Sequence, residues 1–152
     1  MTATRRILPL LIALALVPIG PAPVLAAPSC HAIDASGVGQ DLGGGNTVAQ
    51  ISDGGLLQGT TAATFAITGF SGTVASFAGT ITFTTNRATL TANVAGTLDV
   101  ATGAFSATTS GMSGSDKLAG ATGSLVFNGV EDLATGAFTE TIGGSICVDL
   151  AP

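Results

Sequence analysis

The sequence predicts an all-β, barrel-like domain, with a β-sandwich as the second choice, and three observations lead to that prediction. Apolar and polar residues alternate from 87 to 100, as in a strand that buries one face and exposes the other. A segment with the pattern of a β-hairpin occurs twice. Helix signals are absent after residue 26, while threonine and glycine, which favour pleated surfaces and turns, are abundant.

The repeated segment covers 96–111 and again 129–144, and nine of its sixteen positions are identical. Both copies contain an Asp-x-Ala-Thr-Gly turn followed by Ala-Phe. Aspartate can bond its own backbone two residues on, and glycine supplies the positive φ that closes a short loop. Two copies predict a meander of antiparallel strands, because a solenoid needs at least three stacked repeats.

The alternation and the turn residues together set the predicted strands. Glycine-rich turns separate them at 43–46 and 52–55. The predicted strands are 30–36, 46–52, 55–59, 61–69, 73–84, 87–100, 104–110, 121–132 and 137–149.

The first 26 residues have the pattern of a signal peptide. Two arginines precede an apolar run at 7–19, and small residues end at a cleavage site after Ala26. The apolar run is too short to span a bilayer comfortably. We therefore expect an exported protein, periplasmic or extracellular, with residues 27–152 forming one domain; the pair of arginines leaves the general and twin-arginine export routes both open.

The charge of residues 27–152 excludes some partners. Arg87 and Lys117 are the only strong cations against nine acids, so the net charge is −7. No basic patch can form, and nucleic acid and anionic membrane surfaces are poor partners. No segment after residue 26 resembles a membrane span.

Cys30 and Cys147 are the only cysteines, and an exported chain is expected to pair them. Cys147 shares its strand parity with polar residues, so the disulfide should lie on the outer face and hold the first strand beside the last. A closed barrel requires its first and last strands to be adjacent, although a sandwich can also place them side by side. A redox-active thiol pair is the rival interpretation, but the CxxC spacing is absent.

The chain contains few of the residues from which common catalytic and metal sites are built. His31 is the only histidine, and no GxSxG elbow is present for a serine nucleophile. A zinc site would need three or four ligands from one histidine, two paired cysteines and scattered acids. The glycine runs have no following helix to cradle phosphate. We expect no metal and no cofactor.

Two glutamates are the sharpest candidates for chemistry. The repeat aligns Glu131 with Leu98 and Glu140 with Ala107, so both glutamates fall on the face that is apolar in the first copy. Carboxyl groups on an inward face can serve acid–base chemistry or bind a cation. Glu131 and Glu140 are therefore the candidate catalytic residues, and no ligand-binding residue is assigned beyond them.

The expected hairpin register places these two glutamates against each other. If Leu133 pairs with Phe138, then Glu131 lies directly opposite Glu140, and two carboxyls in a dry interior would share a proton. Two alternatives stay open. A bulge at Gly129 could flip the phase of the strand, or the pair could lie at a wet end of the barrel.

A further segment carries a resemblance. Residues 114–123, GSDKLAGATG, lead into 124–129, SLVFNG. This segment resembles a motif of small exported bacterial barrels that are similar to the allene oxide cyclase and dirigent-type barrels of plants. Lys117 takes the place of the usual basic residue, Leu118 that of an aromatic, and Asp116 stands where glycine is common.

The resemblance covers 114–146 well and the rest of the chain only by pattern. It implies an eight-stranded antiparallel barrel, calycin-like, and a possible homotrimer. It carries no activity and no pocket residue to this chain.

Three functions follow as expectations. The first is a secreted, non-catalytic barrel that binds a small hydrophobic ligand or acts in surface interactions. The second is a cyclase or isomerase acting on a hydrophobic substrate through Glu131 and Glu140. The third is a structural subunit that assembles by pairing of a free strand edge.

Overall fold

The computed structural model describes residues 28–149 and shows a closed antiparallel barrel of eight strands in sequential order. The predicted fold is confirmed, and the sandwich is not formed. The predicted signal peptide lies outside the described residues. The strands are β1 Ser29–Gly43, β2 Asn46–Ser52, β3 Gly59–Ser71, β4 Val74–Thr85, β5 Thr89–Asp99, β6 Ala104–Gly114, β7 Thr122–Glu131 and β8 Ala137–Val148.

Two predicted strands differ most from the observed ones. The strand predicted at 55–59 is a 3-10 turn at Gly55–Leu57, because Gly55 has a φ of 56° and Leu57 turns into the core. The first strand was predicted to end at 36 but continues to Gly43. Its second half pairs with β2 on one side and β8 on the other, and this double pairing keeps it extended.

The repeated segment forms two matching hairpins, as predicted. The Gly103 N–H donates to the Asp99 carbonyl at 2.7 Å, and the Gly136 N–H donates to the Asp132 carbonyl at the same distance. Each aspartate Oδ1 also accepts a 2.9 Å bond from the N–H two residues on. That bond is the main cause that lowers the pKa of both carboxyls. Both glycines have a positive φ, 75° and 74°, as the turn requires.

Closure of the barrel joins its first and last strands. β1 and β8 pair from Ser29 opposite Val148 to Gln40 opposite Ala137. Cys30 lies directly opposite Cys147 and is bonded to it, which confirms the predicted disulfide. The residues on either side of Cys147 are buried, so the disulfide lies on the outer face.

One end of the barrel, which we call the closed end, is filled by side chains. It contains both chain termini of the barrel and the two 3-10 turns, Gly55–Leu57 and Asp116–Leu118. Leu57 and Leu118 project from these turns and are 0% and 1% exposed. They cap a packed core whose fully buried members also include Ile51, Phe83, Leu90, Leu125, Ile142, Ile146 and Val148. Within residues 28–149, no helix has the length and apolar character needed to cross a membrane.

Candidate ligand-binding site

The other end of the barrel, the open end, leads into a cavity of about 540 Å³. The turns between β1 and β2, β3 and β4, β5 and β6, and β7 and β8 surround this end. Ordinary protein cores contain few voids larger than a water molecule, whereas sites for small molecules occupy roughly 300–1,000 Å³. The cavity therefore has the size of a small-molecule site.

The wall of the cavity is mostly apolar. Five phenylalanines contribute to it, and two pairs of rings are in contact, with centroids 5.1 Å apart for Phe65 and Phe77 and 6.0 Å apart for Phe105 and Phe138. The remaining apolar lining consists of Phe127, Ile67, Ile81, Val94, Leu98, Ala66 and Ala107. A surface of this kind favours a ligand that gains by leaving water.

Small residues in the wall make room for the larger ones. A Cβ added at Gly39 would collide with the Phe138 ring, and one added at Gly129 would collide with the Phe105 ring. Each ring thus lies across the bare backbone of a neighbouring strand. Ala107, on the same strand as Phe105, and its partner Gly96 on β5 have little or no side chain to fill the interior at this level.

Glu140 is the deepest acid of the cavity. It lies on β8 between Gly37 of β1 and Gly129 of β7, and only 9% of its surface is exposed. An added Cβ at Gly37 would lie 2.7 Å from both the Cγ and the Oε1 of Glu140, so the carboxyl side chain occupies the space that this glycine leaves. Burial raises the pKa of Glu140 to about 7, and within the described residues no donor or cation offsets that burial.

Two further acids lie above Glu140 toward the open end. Glu131 is opposite Phe138, one inward row nearer the turns, and Asp41 is held opposite Gly136 by a backbone hydrogen bond of 2.7 Å, one row nearer still. Inward rows are about 7 Å apart along a strand. The pKa of Glu131 is raised, first by burial and then by the negative charge of Asp41. Three adjacent strands therefore present a descending series of carboxyls.

The expected direct opposition of the two glutamates is wrong. Glu131 pairs with Phe138, and Glu140 pairs with Gly129, so the glutamates are diagonal neighbours at roughly 7 Å rather than facing partners. The first hairpin has the same register, with Leu98 opposite Phe105. No bulge interrupts the pairing at Gly129, and both glutamates do line one cavity at one end of the barrel. A proton shared between them is not indicated, since burial alone accounts for the raised pKa of Glu140.

The basic side chains of the described residues lie at the opposite end of the barrel. His31, Arg87 and Lys117 line a hollow around the 3-10 turns of the closed end. Among the described residues, none of the lysine, arginine or histidine side chains lines the cavity. His31 lies next to the disulfide, at the closed end of the barrel. An ionised carboxyl in the cavity thus has no cation to pair with among residues 28–149.

Asp41 is the acid of the cavity that the sequence did not predict. The strand was predicted to end at residue 36, which left Asp41 outside every predicted strand. The available signal was parity, because Asp41 shares the odd-numbered, inward phase of Ile33 and Ala35. In the part of the chain that the structure describes, no group of three His, Cys, Asp or Glu side chains is arranged to hold a metal ion.

These features define a class of protein, the closed eight-stranded antiparallel barrel with one open end and an apolar interior cavity. Comparisons with protein-family models, with curated proteins and with solved structures found no match to this chain. The resemblance to the allene oxide cyclase and dirigent-type barrels stays a prediction.

Proposed function

We propose that this protein is a non-catalytic barrel that binds one small hydrophobic molecule in the cavity at its open end. The observation that carries the proposal is the cavity itself, about 540 Å³ in volume, walled by phenylalanine rings and closed below by packed side chains. A small barrel normally fills its interior with side chains or holds one small ligand. Here side chains fill the closed end, and the cavity at the open end leaves room for one small ligand.

The rim of the cavity also suits an apolar ligand. Ile67 and Phe70 of the β3–β4 hairpin, and Leu42, Val100 and Leu133 of the neighbouring turns, are all exposed at this end. A ligand that passes over this rim from water into the cavity stays in contact with apolar surface along its path. For a ligand of drug-like size we expect dissociation constants of about 1–100 µM.

We further propose that the protein is exported, to the periplasm or the extracellular space. The disulfide between Cys30 and Cys147 supports this proposal, because such bonds persist in oxidising compartments. The structural-subunit function loses its support. Every strand pairs on both sides for at least part of its length, so the described barrel has no wholly free edge strand for another subunit to join.

A second candidate function, acid–base catalysis on a hydrophobic substrate, is favoured by one specific observation. Glu140 combines a pKa of about 7 with an apolar, water-poor position, which suits a general base or acid at neutral pH. A cyclase or isomerase would use Glu140 in that role, with Glu131 one row above it. The test is deuterium incorporation from heavy water into phenylbutanone, followed by NMR. Exchange that depends on the protein and is lost in Glu140→Gln supports catalysis, and exchange equal to buffer alone contradicts it.

The binding proposal is tested with the neutral fluorophore N-phenylnaphthylamine, whose emission rises in apolar surroundings. We expect saturable enhancement with the folded, disulfide-bonded protein. Ala107→Leu adds bulk inside the cavity and should weaken binding at least tenfold, whereas the neighbouring, outward-facing Thr108→Leu should not. Absence of saturable binding, or equal effects of the two substitutions, would overturn the proposal.

A further inference from the structure

We infer that the cavity selects apolar molecules that carry a protonated amine, with Glu140 as the counter-ion, over neutral or carboxylate analogues of the same skeleton. This inference deepens the proposed function and rests on it. Three features of the described residues lead to it: a buried acid without a partner, two more acids above it, and aromatic walls that have no cation among them.

The first feature is the state of Glu140. Its side chain is nine-tenths buried, extends over Gly37 and lines the cavity. A buried carboxylate is costly unless a cation or hydrogen-bond donors pair with it. Since no described residue supplies either, the place opposite the carboxyl is open to a ligand, and an ammonium group is the donor that satisfies it best.

The second feature is the charge along the route into the cavity. Asp41 and Glu131 lie between the open end and Glu140, and each adds a negative charge. A cation moving inward meets attraction at every row, while a carboxylate meets repulsion at every row. Fatty acids, which would otherwise suit an apolar cavity of this size, are therefore poor ligands.

The third feature is the aromatic wall. The rings of Phe105 and Phe138 meet near Gly129, the residue opposite Glu140 in the sheet. The face of an aromatic ring attracts a cation, so these rings can contact both the apolar body of the ligand and its charged group. A neutral alcohol would gain the apolar contact and one hydrogen bond only.

The inference includes a definite dependence on pH. The groups that face Glu140 from its neighbouring strands are Gly37 and Gly129, which do not titrate, and beyond them Asp41 of β1 and Glu131 of β7. The pKa of Glu140 is about 7, so it is half protonated at pH 7 and almost wholly protonated at pH 5. If only the ionised form binds the ammonium, affinity rises up to roughly 90-fold from pH 5 to pH 8.

The experiment compares phenylbutylamine, phenylbutanol and phenylbutyrate by isothermal titration calorimetry at pH 7. We expect the amine to bind at least tenfold more tightly than the alcohol, and the carboxylate to bind most weakly. Glu140→Gln should bring the amine to the level of the alcohol and remove its pH dependence. Asp34→Asn, an equal charge change at an exposed position, should leave the preference intact.

A second measurement needs no substitution. Amine binding at pH 7 should release about half a proton per site from Glu140, detected in buffers of different ionisation enthalpy, and alcohol binding should release none. If N-phenylnaphthylamine binds but the amine shows neither preference nor proton release, the inference fails and the proposed function stands. If neither the fluorophore nor any of the three compounds binds, the proposed function fails as well.

Discussion

Replacement of Glu140 by glutamine is the perturbation whose effect on stability can be worked out most fully. The pKa of this carboxyl is raised by burial from its ordinary 4.5 to about 7. Below pH 4.5 the group is neutral in both folded and unfolded chains and costs nothing through ionisation. Between pH 4.5 and about 7 the unfolded chain ionises this carboxyl while the folded protein keeps it protonated, so stability is lost progressively across this window and stays lost above it.

The magnitude follows from the two pKa values. At about 1.4 kcal/mol per pH unit, the difference between 4.5 and about 7 amounts to about 3 kcal/mol at pH 8. Glutamine keeps the shape of the side chain and cannot ionise. We therefore expect Glu140→Gln to raise the free energy of unfolding by about 3 kcal/mol at pH 8, relative to its effect at pH 4.

The assay is urea unfolding of both proteins, with the disulfide intact, at several pH values from 4 to 8. The quantity of interest is the difference in unfolding free energy between variant and wild type as a function of pH. Asp34→Asn serves as the control, because its carboxyl is exposed and should shift stability by no more than about 0.5 kcal/mol. A Glu140→Gln difference that is the same at every pH would refute the reasoning.

Three further predictions concern the fold that supports the cavity. Gly37→Ala should lower stability by about 1–3 kcal/mol in urea unfolding, because its Cβ would lie 2.7 Å from Glu140, whereas Gly69→Ala, with open space around it, should change little. Leu118→Ala should lower stability by about 2–5 kcal/mol, and the half-exposed Leu133→Ala by less than about 0.5 kcal/mol; equal losses would show that the closed end is not packed. Replacing both members of the disulfide by serine should cost about 4–5 kcal/mol in the same assay, since the bond spans 117 residues, and thiol labelling of the denatured, unreduced protein that finds two free thiols would contradict the bond itself.

The two hairpins of the repeat show that alternation in the sequence predicts which face a side chain lies on, but not which residues pair across the strands. Alternation placed Glu131 and Glu140 on the inward face, where the structure also has them. A shift of two residues leaves every face unchanged, so alternation cannot distinguish a partner of Phe138 at 131 from one at 133. The turn sets the register of the hairpin. The Asp132 N–H donates to the Ala137 carbonyl, so Phe138 pairs with residue 131 rather than with residue 133.

The first strand shows a different limit. Gly37 and Gly39 lower the strand signal, because glycine is depleted in strand interiors, and the strand was predicted to end before them. In the structure these glycines lie under the Glu140 and Phe138 side chains of the next strand. The reason for their presence is therefore a contact with residues about 100 positions away, which no local pattern contains. Asp41 was missed for the same reason.

The central claim, that the open end of the barrel holds a small apolar ligand, is tested most directly by NMR of the ¹³C-methyl-labelled protein titrated with the neutral phenylbutanol. We expect saturable shifts and ring-to-methyl contacts at Val94 and Leu98 inside the cavity, and none at the exposed Val38 and Val130 of the outer face. No shifts at a ligand concentration of about 1 mM, or shifts confined to the outer valines, would contradict the claim.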